Sequence, residues 1–115
     1  MRYNSVLDLH THTVASGHAY CSLREMAKAA SEKGLEVLGI TEHAPSMPGT
    51  CHKFYFNNLK VVPREMYGIQ LLLGSEVNIL DAQGTVDLNE KTLSNMDVVI
   101  ASLHTPCMKP ASRQE

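Results

Sequence analysis

The sequence SLREMAKAASEKGLEVLGIT, residues 22–41, combines a helix with a clear start and a strand that follows it closely. Ser22 and Glu25 have the S-x-x-E spacing of a capping box, so we expect the helix to begin there. Leucine, methionine and alanine then recur at the i, i+3, i+4 and i+7 positions of one buried helical face, and the Lys-Gly pair at 33–34 should end the helix. The apolar run 36–41 is typical of a strand covered on both faces. This stretch therefore predicts the second half of a βαβ unit.

The residues on either side extend this unit into an α/β fold with about four parallel strands. A first strand is predicted over 5–9, a third over 70–80 with an interruption at Gly74, and a buried fourth strand over 97–103. The other predicted elements are a long loop, a weak helix, a turn with a small hairpin arm, a short helix and a loose tail, at residues 44–58, 59–67, 81–88, 89–96 and 106–115. No repeat or domain boundary is evident, so residues 1–115 are interpreted as a single domain.

Composition excludes several classes of protein. With 115 residues, 43% of them hydrophobic, the chain can bury one modest core. A net charge of −2 gives no basic surface for nucleic acid. Met1–Ser5 is too short and polar for a signal peptide, and no apolar stretch approaches the roughly 20 residues that span a bilayer. Cys21, Cys51 and Cys107 lie far apart and form no C-x-x-C pair, which argues against a disulfide framework. We expect a cytoplasmic protein without membrane contact.

Six residues that make good zinc or manganese ligands lie at or near the predicted strand ends: His10, His12, His18, His43, Glu76 and His104. Side chains two apart on a strand point to the same face, so the first two histidines can converge on one ion. Parallel strands with right-handed crossovers bring their ends to a common edge, where the other ligands could join them. Glu76 is the one carboxylate in the set and could bridge two ions. The pattern predicts a site for more than one metal ion, although His18 alone is as readily an ordinary histidine.

Four ordered motifs carry a resemblance to a known family: Asp8-Leu9-His10-Thr11-His12-Thr13 with His18 beyond it, Ile40-Thr41-Glu42-His43, Gly74-Ser75-Glu76-Val77-Asn78, and Ala101-Ser102-Leu103-His104. They resemble the PHP (polymerase and histidinol phosphatase) metal-dependent phosphoesterases, in particular the small stand-alone bacterial branch. Members of that branch are roughly twice as long as this chain, in line with the 200 or more residues of a closed barrel. The resemblance therefore implies a partial (β/α) barrel of PHP type, with helices outside the strands and without its C-terminal half.

The resemblance also implies a site for up to three divalent ions, with zinc favoured and manganese or iron as alternatives. By resemblance, His10 and His12 would bind the first ion and Glu76 would bridge the first and second. His104 would bind the second ion, and His18 and His43 the third. The further ligands of the family, another histidine and an Asp-x-His motif, have no counterpart after His104 in this chain.

The implied activity is hydrolysis of a small phosphorylated substrate by water that the metal ions activate. Ser16, Ser75 and Ser102 lack a Ser-His-Asp setting, so a serine nucleophile is not indicated. Lys53, in the long loop, is the preferred candidate for a phosphate contact. Three interpretations remain open. The chain is the N-terminal half of a PHP phosphoesterase, or a half-barrel that self-association or another chain completes, or a non-catalytic metal-binding or assembly module.

Overall fold

The computed structural model describes residues 5–107, which form one sheet with helices beside it. The strands are β1 (Leu7–Thr11), β2 (Val37–His43), β3 (Glu65–Met66), β4 (Ile69–Asn78) and β5 (Val98–Ser102), and the helices are α1 (Leu23–Glu32), α2 (Lys53–Asn57) and α3 (Glu90–Ser94). Strands β1, β2, β4 and β5 are adjacent in that order and parallel. The two-residue strand β3 pairs antiparallel with the start of β4. This arrangement confirms the predicted α/β half-barrel with four parallel strands.

Helix α1 begins and ends as the sequence predicts. The Ser22 side chain accepts a hydrogen bond from the Glu25 backbone N–H at 3.2 Å, and the Glu25 carboxylate accepts one from the Ser22 backbone N–H at 2.9 Å. Such reciprocal bonds satisfy two N–H groups that a helix start otherwise leaves unpaired. Lys33 caps the other end, and Gly34 follows with φ +84°, a left-handed conformation that favours glycine.

The core lies between the central strands β2 and β4 and the helices that cover them. Its largest fully buried apolar side chains are those of Leu38, Ile40, Leu71, Leu73 and Val77. Full burial of such a side chain stabilises a fold by about 1.5–3 kcal/mol. The strands that carry most of this burial are also the strands that carry His43 and Glu76, so the packing of the core fixes the position of those two side chains.

The predicted interruption of the third strand at Gly74 is wrong, because β4 runs without a break from Ile69 to Asn78. The glycine instead allows close packing with β5: a Cβ atom at position 74 would overlap the backbone carbonyl of Val98. Gly39 has the same role on β2, where a Cβ atom would lie 2.8 Å from Leu9 Cα in β1. Glycine here marks a close approach of two backbones.

The predicted loop over 44–58 and helix over 59–67 are also wrong in part. The loop contains α2, whose first turn is capped by the His52 ring, with Nδ1 accepting from the Phe54 N–H at 3.1 Å. Residues 59–67 form one 3-10 turn and then β3, because Pro63 interrupts any helix there. A two-residue turn, Tyr67-Gly68, joins β3 to β4 with φ angles of +53° and +78°. Positive φ at both positions is the geometry of a tight hairpin.

The outer strands β1 and β5 are both partly exposed. Leu7 in β1 is 49% exposed and Val99 in β5 is 42% exposed, so the predicted burial of the fourth strand is wrong. Within residues 5–107 each of these strands pairs on one side only. The predicted arm at 85–88 is reduced to a single bridge between Ile79 and Val86. The predicted tail, residues 106–115, lies outside the described residues from position 108 onward. None of the helices in the described range is long and apolar enough to cross a membrane.

Candidate metal centre

The carboxyl ends of the parallel strands bring the predicted ligands to one edge of the sheet. His43, the last residue of β2, pairs in register with Glu76 of β4. The β1–β2 ladder shifts register between Asp8 and Thr11, and His10 lies in that irregular stretch. The Asp8 carboxylate accepts a hydrogen bond from the His10 backbone N–H at 3.1 Å and thereby holds the bend. Irregularities of this kind commonly redirect a side chain next to a functional site.

Four imidazole nitrogens surround the carboxylate of Glu76, which is only 4% exposed. His12 Nε2 and His43 Nδ1 each lie 3.1 Å from Oε1. His10 Nε2 lies 3.2 Å from Oε2, and His104 Nε2 lies 3.6 Å from the same oxygen. The predicted convergence of side chains from four separate strands is therefore present in the structure.

Two atoms in this group are buried and have no hydrogen-bond partner among residues 5–107, namely His43 Nδ1 and Glu76 Oε1. They lie 3.1 Å apart, but a hydrogen placed on the ring nitrogen would not point at the oxygen, so closeness alone does not satisfy them. Unsatisfied buried polar atoms are rare in proteins and call for an explanation. Ligands about 2.0–2.1 Å from a tetrahedral zinc ion stand about 3.3 Å apart, close to the spacings found here. A cation fits these donors better than a hydrogen bond does.

The donors divide into two groups of three that share the carboxylate. One is His10, His12 and Glu76, and the other is His43, Glu76 and His104. In each group the ligand atoms lie within 4.8 Å of one another. Nitrogen and carboxylate oxygen donors in this combination suit zinc, and also manganese or iron. The shared position of Glu76 is the one expected of a bridging ligand.

Burial and neighbouring charges shift the pKa values of these groups. Burial lowers the pKa of His12 and of His43, and the nearby Glu76 carboxylate opposes the shift in both cases. Burial raises the pKa of Glu76, but hydrogen bonds from Ser102 and His10 together with nearby imidazoles outweigh it, and its pKa is lowered. The Ser102 hydroxyl donates to Glu76 Oε2 at 2.6 Å. These shifts favour neutral imidazoles at His12 and His43 beside an ionised Glu76 carboxylate, which are the protonation states that bind metal ions.

A second carboxylate, Glu42, lies behind the histidines and is completely buried. Its Oε1 accepts hydrogen bonds from the Thr13 backbone N–H and the Ser16 hydroxyl, both at 2.8 Å. Its Oε2 accepts from the Thr13 hydroxyl and, at 3.2 Å, from Tyr55 OH. The Ser16 oxygen also accepts from the His43 backbone N–H at 2.9 Å and lies 3.3 Å from His12 Nδ1. Glu42 therefore ties the segment after β1 to the end of β2.

Asn78 supports His104 through another set of hydrogen bonds. The Asn78 side chain is fully buried, and its Oδ1 lies 2.6 Å from His104 Nδ1. The Asn78 amide nitrogen donates to the Ala44 carbonyl at 3.3 Å and to Asp87 Oδ2 at 2.7 Å. Asp87 also accepts from the Ser46 and Asn78 backbone N–H groups, both at 2.9 Å. The asparagine is thereby held in a single orientation beside the histidine.

The remaining predicted residues lie at the margin of the site. His18 is exposed, with its ring centre 5.5 Å from that of His43. The structure groups His43 Nδ1 with Glu76 and His104, and the proposed third ion between His18 and His43 stays a prediction. Lys53 is exposed at the start of α2, and its contact with phosphate likewise stays a prediction.

Six residues with supporting contacts were not predicted to have such a role, although Thr13, Glu42 and Asn78 lie within the family motifs; the other three are Ser16, Tyr55 and Asp87. Asn78 could have been identified, because it lies two positions after Glu76 on the same strand and therefore shares its face. Glu42 directly precedes His43 on β2, so its side chain lies on the opposite face of the strand from the ligands. Its contacts are therefore visible only in the folded structure.

Comparison with known proteins supports one family. A family model described as "PHP domain" matches residues 8–115. A probable phosphatase of Clostridium novyi (strain NT) is 56% identical over 115 residues, covering 100% of this chain and 46% of the relative. A probable phosphatase of Caldanaerobacter subterraneus subsp. tengcongensis is 49% identical over 115 residues, covering 100% of this chain and 45% of the relative. One from Thermoanaerobacter sp. (strain X514) is 51% identical over 106 residues, covering 92% and 43%. The chain spans about half the length of the curated relatives it matches.

Proposed function

Because this chain belongs to the PHP domain family, we propose that it supplies half of the metal site of a metal-dependent phosphoesterase. The substrate class is a small phosphorylated molecule, and the reaction is hydrolysis of a phosphoester. The proposed ligands are His10, His12, His18, His43, Glu76 and His104. The names of the relatives, probable phosphatases, agree with this reaction class.

The observation that carries the proposal is the unsatisfied pair at the centre of the site. Glu76 Oε1 and His43 Nδ1 are buried and have no hydrogen-bond partner, although they lie 3.1 Å apart. A cation between the donors would satisfy both atoms, and the shared carboxylate would connect two ions. Divalent ions in such a site supply Lewis-acid chemistry, which favours ionisation of water and offsets the negative charge of a phosphoryl group.

In this proposal the residues of this chain orient the ligands and bind the substrate phosphate. Ser102 holds Glu76 by a hydrogen bond of 2.6 Å to Oε2, which leaves Oε1 directed at His12 and His43. Ser16 is fully buried, so it is out of reach of a substrate and does not act as a nucleophile. Lys53 is proposed to contact substrate phosphate from the start of α2, where its ammonium group is exposed.

Arg64, another cationic residue, has a structural role. Its Nε donates to Asp97 Oδ2 at 2.7 Å, and its Nη1 donates to the carbonyls of Leu59 and Val62. Asp97 precedes β5 and also accepts from the Leu73 N–H at 2.9 Å. These bonds lie at the amino end of β5, whereas the ligands lie at the carboxyl ends of the strands. Arg64 is therefore not part of the proposed site.

A second candidate function is a non-catalytic metal-binding half-barrel, or an assembly module that another chain completes. The outer strands favour completion from outside the described residues, because Leu7 and Val99 expose 49% and 42% of their surface and each strand pairs on one side. Unpaired strand edges with apolar side chains readily bind further strands. The partner is proposed to be a second copy, or a chain equivalent to the other half of the relatives.

Metal content tests the proposed site. Purified chain should bind zinc or manganese in excess of one equivalent, measured by inductively coupled plasma mass spectrometry after dialysis. The double variant His10→Ala and His12→Ala should lose most of that metal while His52→Gln, which changes a histidine outside the site, should retain it. Full metal content in the double variant would refute the assignment.

Hydrolysis of 4-nitrophenyl phosphate by the metal-loaded chain tests whether this chain, alone or in an assembly of copies, catalyses the reaction. Activity that the double variant abolishes supports a phosphoesterase, whether the chain acts as a monomer or as a larger assembly. Stoichiometric metal without hydrolysis, even in assemblies resolved by analytical ultracentrifugation, supports the binding module and contradicts catalysis by this chain.

A further inference from the structure

We infer that Asn78 and Ser16 are positioning residues that fix the ring tautomers of His104 and His12, so that Nε2 of each ring presents a lone pair to the cation site. A neutral imidazole carries one proton, and only its unprotonated nitrogen can bind a metal ion. Which nitrogen that is depends on the hydrogen bond made by the other one. This inference rests on the proposed function, and it assigns roles to residues that are not themselves ligands.

The hydrogen bonds of Asn78 determine the tautomer of His104. The amide group of Asn78 is oriented by its two donor bonds, to the Ala44 carbonyl and to Asp87 Oδ2, because neither of those oxygens can donate when Asp87 is ionised. The oxygen Oδ1 must therefore face His104, and it can only accept. The 2.6 Å contact between Oδ1 and His104 Nδ1 thus requires the proton on Nδ1. The lone pair is left on Nε2, which lies 3.6 Å from Glu76 Oε2.

The three contacts of the Ser16 hydroxyl group determine the tautomer of His12. Ser16 has one proton and two lone pairs, and its 2.8 Å contact with Glu42 Oε1 uses the proton when that carboxylate is ionised. One lone pair accepts from the His43 backbone N–H at 2.9 Å. The remaining contact of Ser16, 3.3 Å to His12 Nδ1, then needs a proton on the ring nitrogen. The lone pair of His12 is again on Nε2, 3.1 Å from Glu76 Oε1.

The two series of hydrogen bonds end at histidines that face the same carboxylate, that of Glu76. Each begins at a carboxylate that is not a proposed ligand, Glu42 or Asp87, and passes through one polar side chain to a histidine. In both rings Nε2 would then turn a lone pair towards an oxygen of Glu76. A nitrogen lone pair and the carboxylate oxygen that it faces repel one another unless a cation lies between them. The chains therefore prepare the donors of both three-residue groups before an ion arrives.

Zinc affinity tests the role of Ser16 with a closely matched control. Ser16 and Ser75 are both 0% exposed, and within the described part of the chain the Ser75 hydroxyl bonds only the Glu42 backbone carbonyl, at 3.1 Å. Ser16→Ala should weaken zinc binding by about 10- to 100-fold, the usual effect of removing a group that orients a ligand. Ser75→Ala should leave the affinity close to that of the wild type. Competition with a chromogenic chelator measures both, and equal affinities of the two variants would overturn the role of Ser16.

Imidazole nitrogen NMR tests the tautomers directly and needs no variant that could fail to fold. In the zinc-loaded, ¹⁵N-labelled chain, long-range proton–nitrogen correlations should show a protonated Nδ1 and a proton-free Nε2 for His12 and His104. If the wild-type chain takes up no zinc, the proposed function fails for this chain. The tautomers of the metal-free chain at about pH 9, well above the ordinary histidine pKa of about 6.5, then decide the inference alone. Protons on Nε2 of these rings would overturn it in either sample.

Discussion

Replacement of Glu42 by alanine should destabilise the metal-free chain more than loss of the Tyr55 hydroxyl, one of its hydrogen-bond partners. The carboxylate is completely buried and accepts from four donors, on Thr13, Ser16 and Tyr55. The three hydroxyl donors can rotate towards other acceptors, whereas the Thr13 backbone N–H cannot. An unsatisfied buried donor costs about 1–3 kcal/mol, and a truncated buried side chain adds a cavity cost of a similar size. The variant also no longer has to bury the Glu42 charge, which offsets part of this cost. The expected net loss in the free energy of unfolding is about 3 kcal/mol.

Urea unfolding of chelator-treated chain, followed by far-ultraviolet circular dichroism, measures this loss. Tyr55→Phe removes one donor and leaves no polar group unsatisfied. It should cost about 1.5 kcal/mol, the low end for a bond to a charged group, because this bond is long at 3.2 Å. Glu42→Gln keeps the shape and should fall between the two, because its amide can still face the hydroxyl groups. Since domains of this size are stable by about 5–15 kcal/mol, the ranking should be resolved easily. A loss for Glu42→Ala no greater than that for Tyr55→Phe would show that Glu42 does not hold the site together.

Three further predictions concern the metal ions, pH and packing. Glu76→Gln should lower the bound zinc, measured by mass spectrometry, by more than one equivalent, because both groups of donors share this carboxylate; loss of a single equivalent would contradict bridging. Because burial lowers the pKa of His12 and His43, the unfolded chain binds more protons near pH 6, and the metal-free chain should lose stability as pH falls below about 6.5. Urea midpoints from pH 7.5 to 5.5 should show this decline, with a shallower slope in His12→Asn; equal slopes would argue against it. Gly74→Ala should cost about 1–3 kcal/mol in urea unfolding, because its Cβ atom would overlap the Val98 carbonyl, and an unchanged midpoint would refute that contact.

The parts of the fold that local sequence determines were predictable. Ser22 and Glu25 mark the start of α1 because both halves of the capping box lie within one turn. The hairpin between β3 and β4 was not recognised, since Tyr67 adopts positive φ where turn patterns normally show Asn, Asp or Gly. The predicted strand interruption at Gly74 was wrong for a different reason. The role of this glycine depends on its closeness to the Val98 backbone of a neighbouring strand, which a single sequence does not reveal.

The same division applies to the site. The strand-end positions of His10, His12, His43 and His104 follow from hydrophobic patterning, and their approach to Glu76 follows from the general geometry of parallel sheets. The supporting contacts were out of reach because they join positions far apart in the chain. Tyr55 reaches Glu42 from a helix that was predicted to be a loop, and Asp87 reaches Asn78 from a segment predicted to be a hairpin arm.

The position of β4 in the sheet gives the site a firm centre and compliant sides. Backbone hydrogen bonds hold β4 to both β2 and β5, while β1 and β5 are each held along one side within residues 5–107. Glu76 is consequently the fixed point, and the imidazole of His10, on an outer strand with a half-exposed side chain, is the donor with most room to shift. An ion of different radius would be accommodated by movement of that ring, with the carboxylate staying where the sheet anchors it.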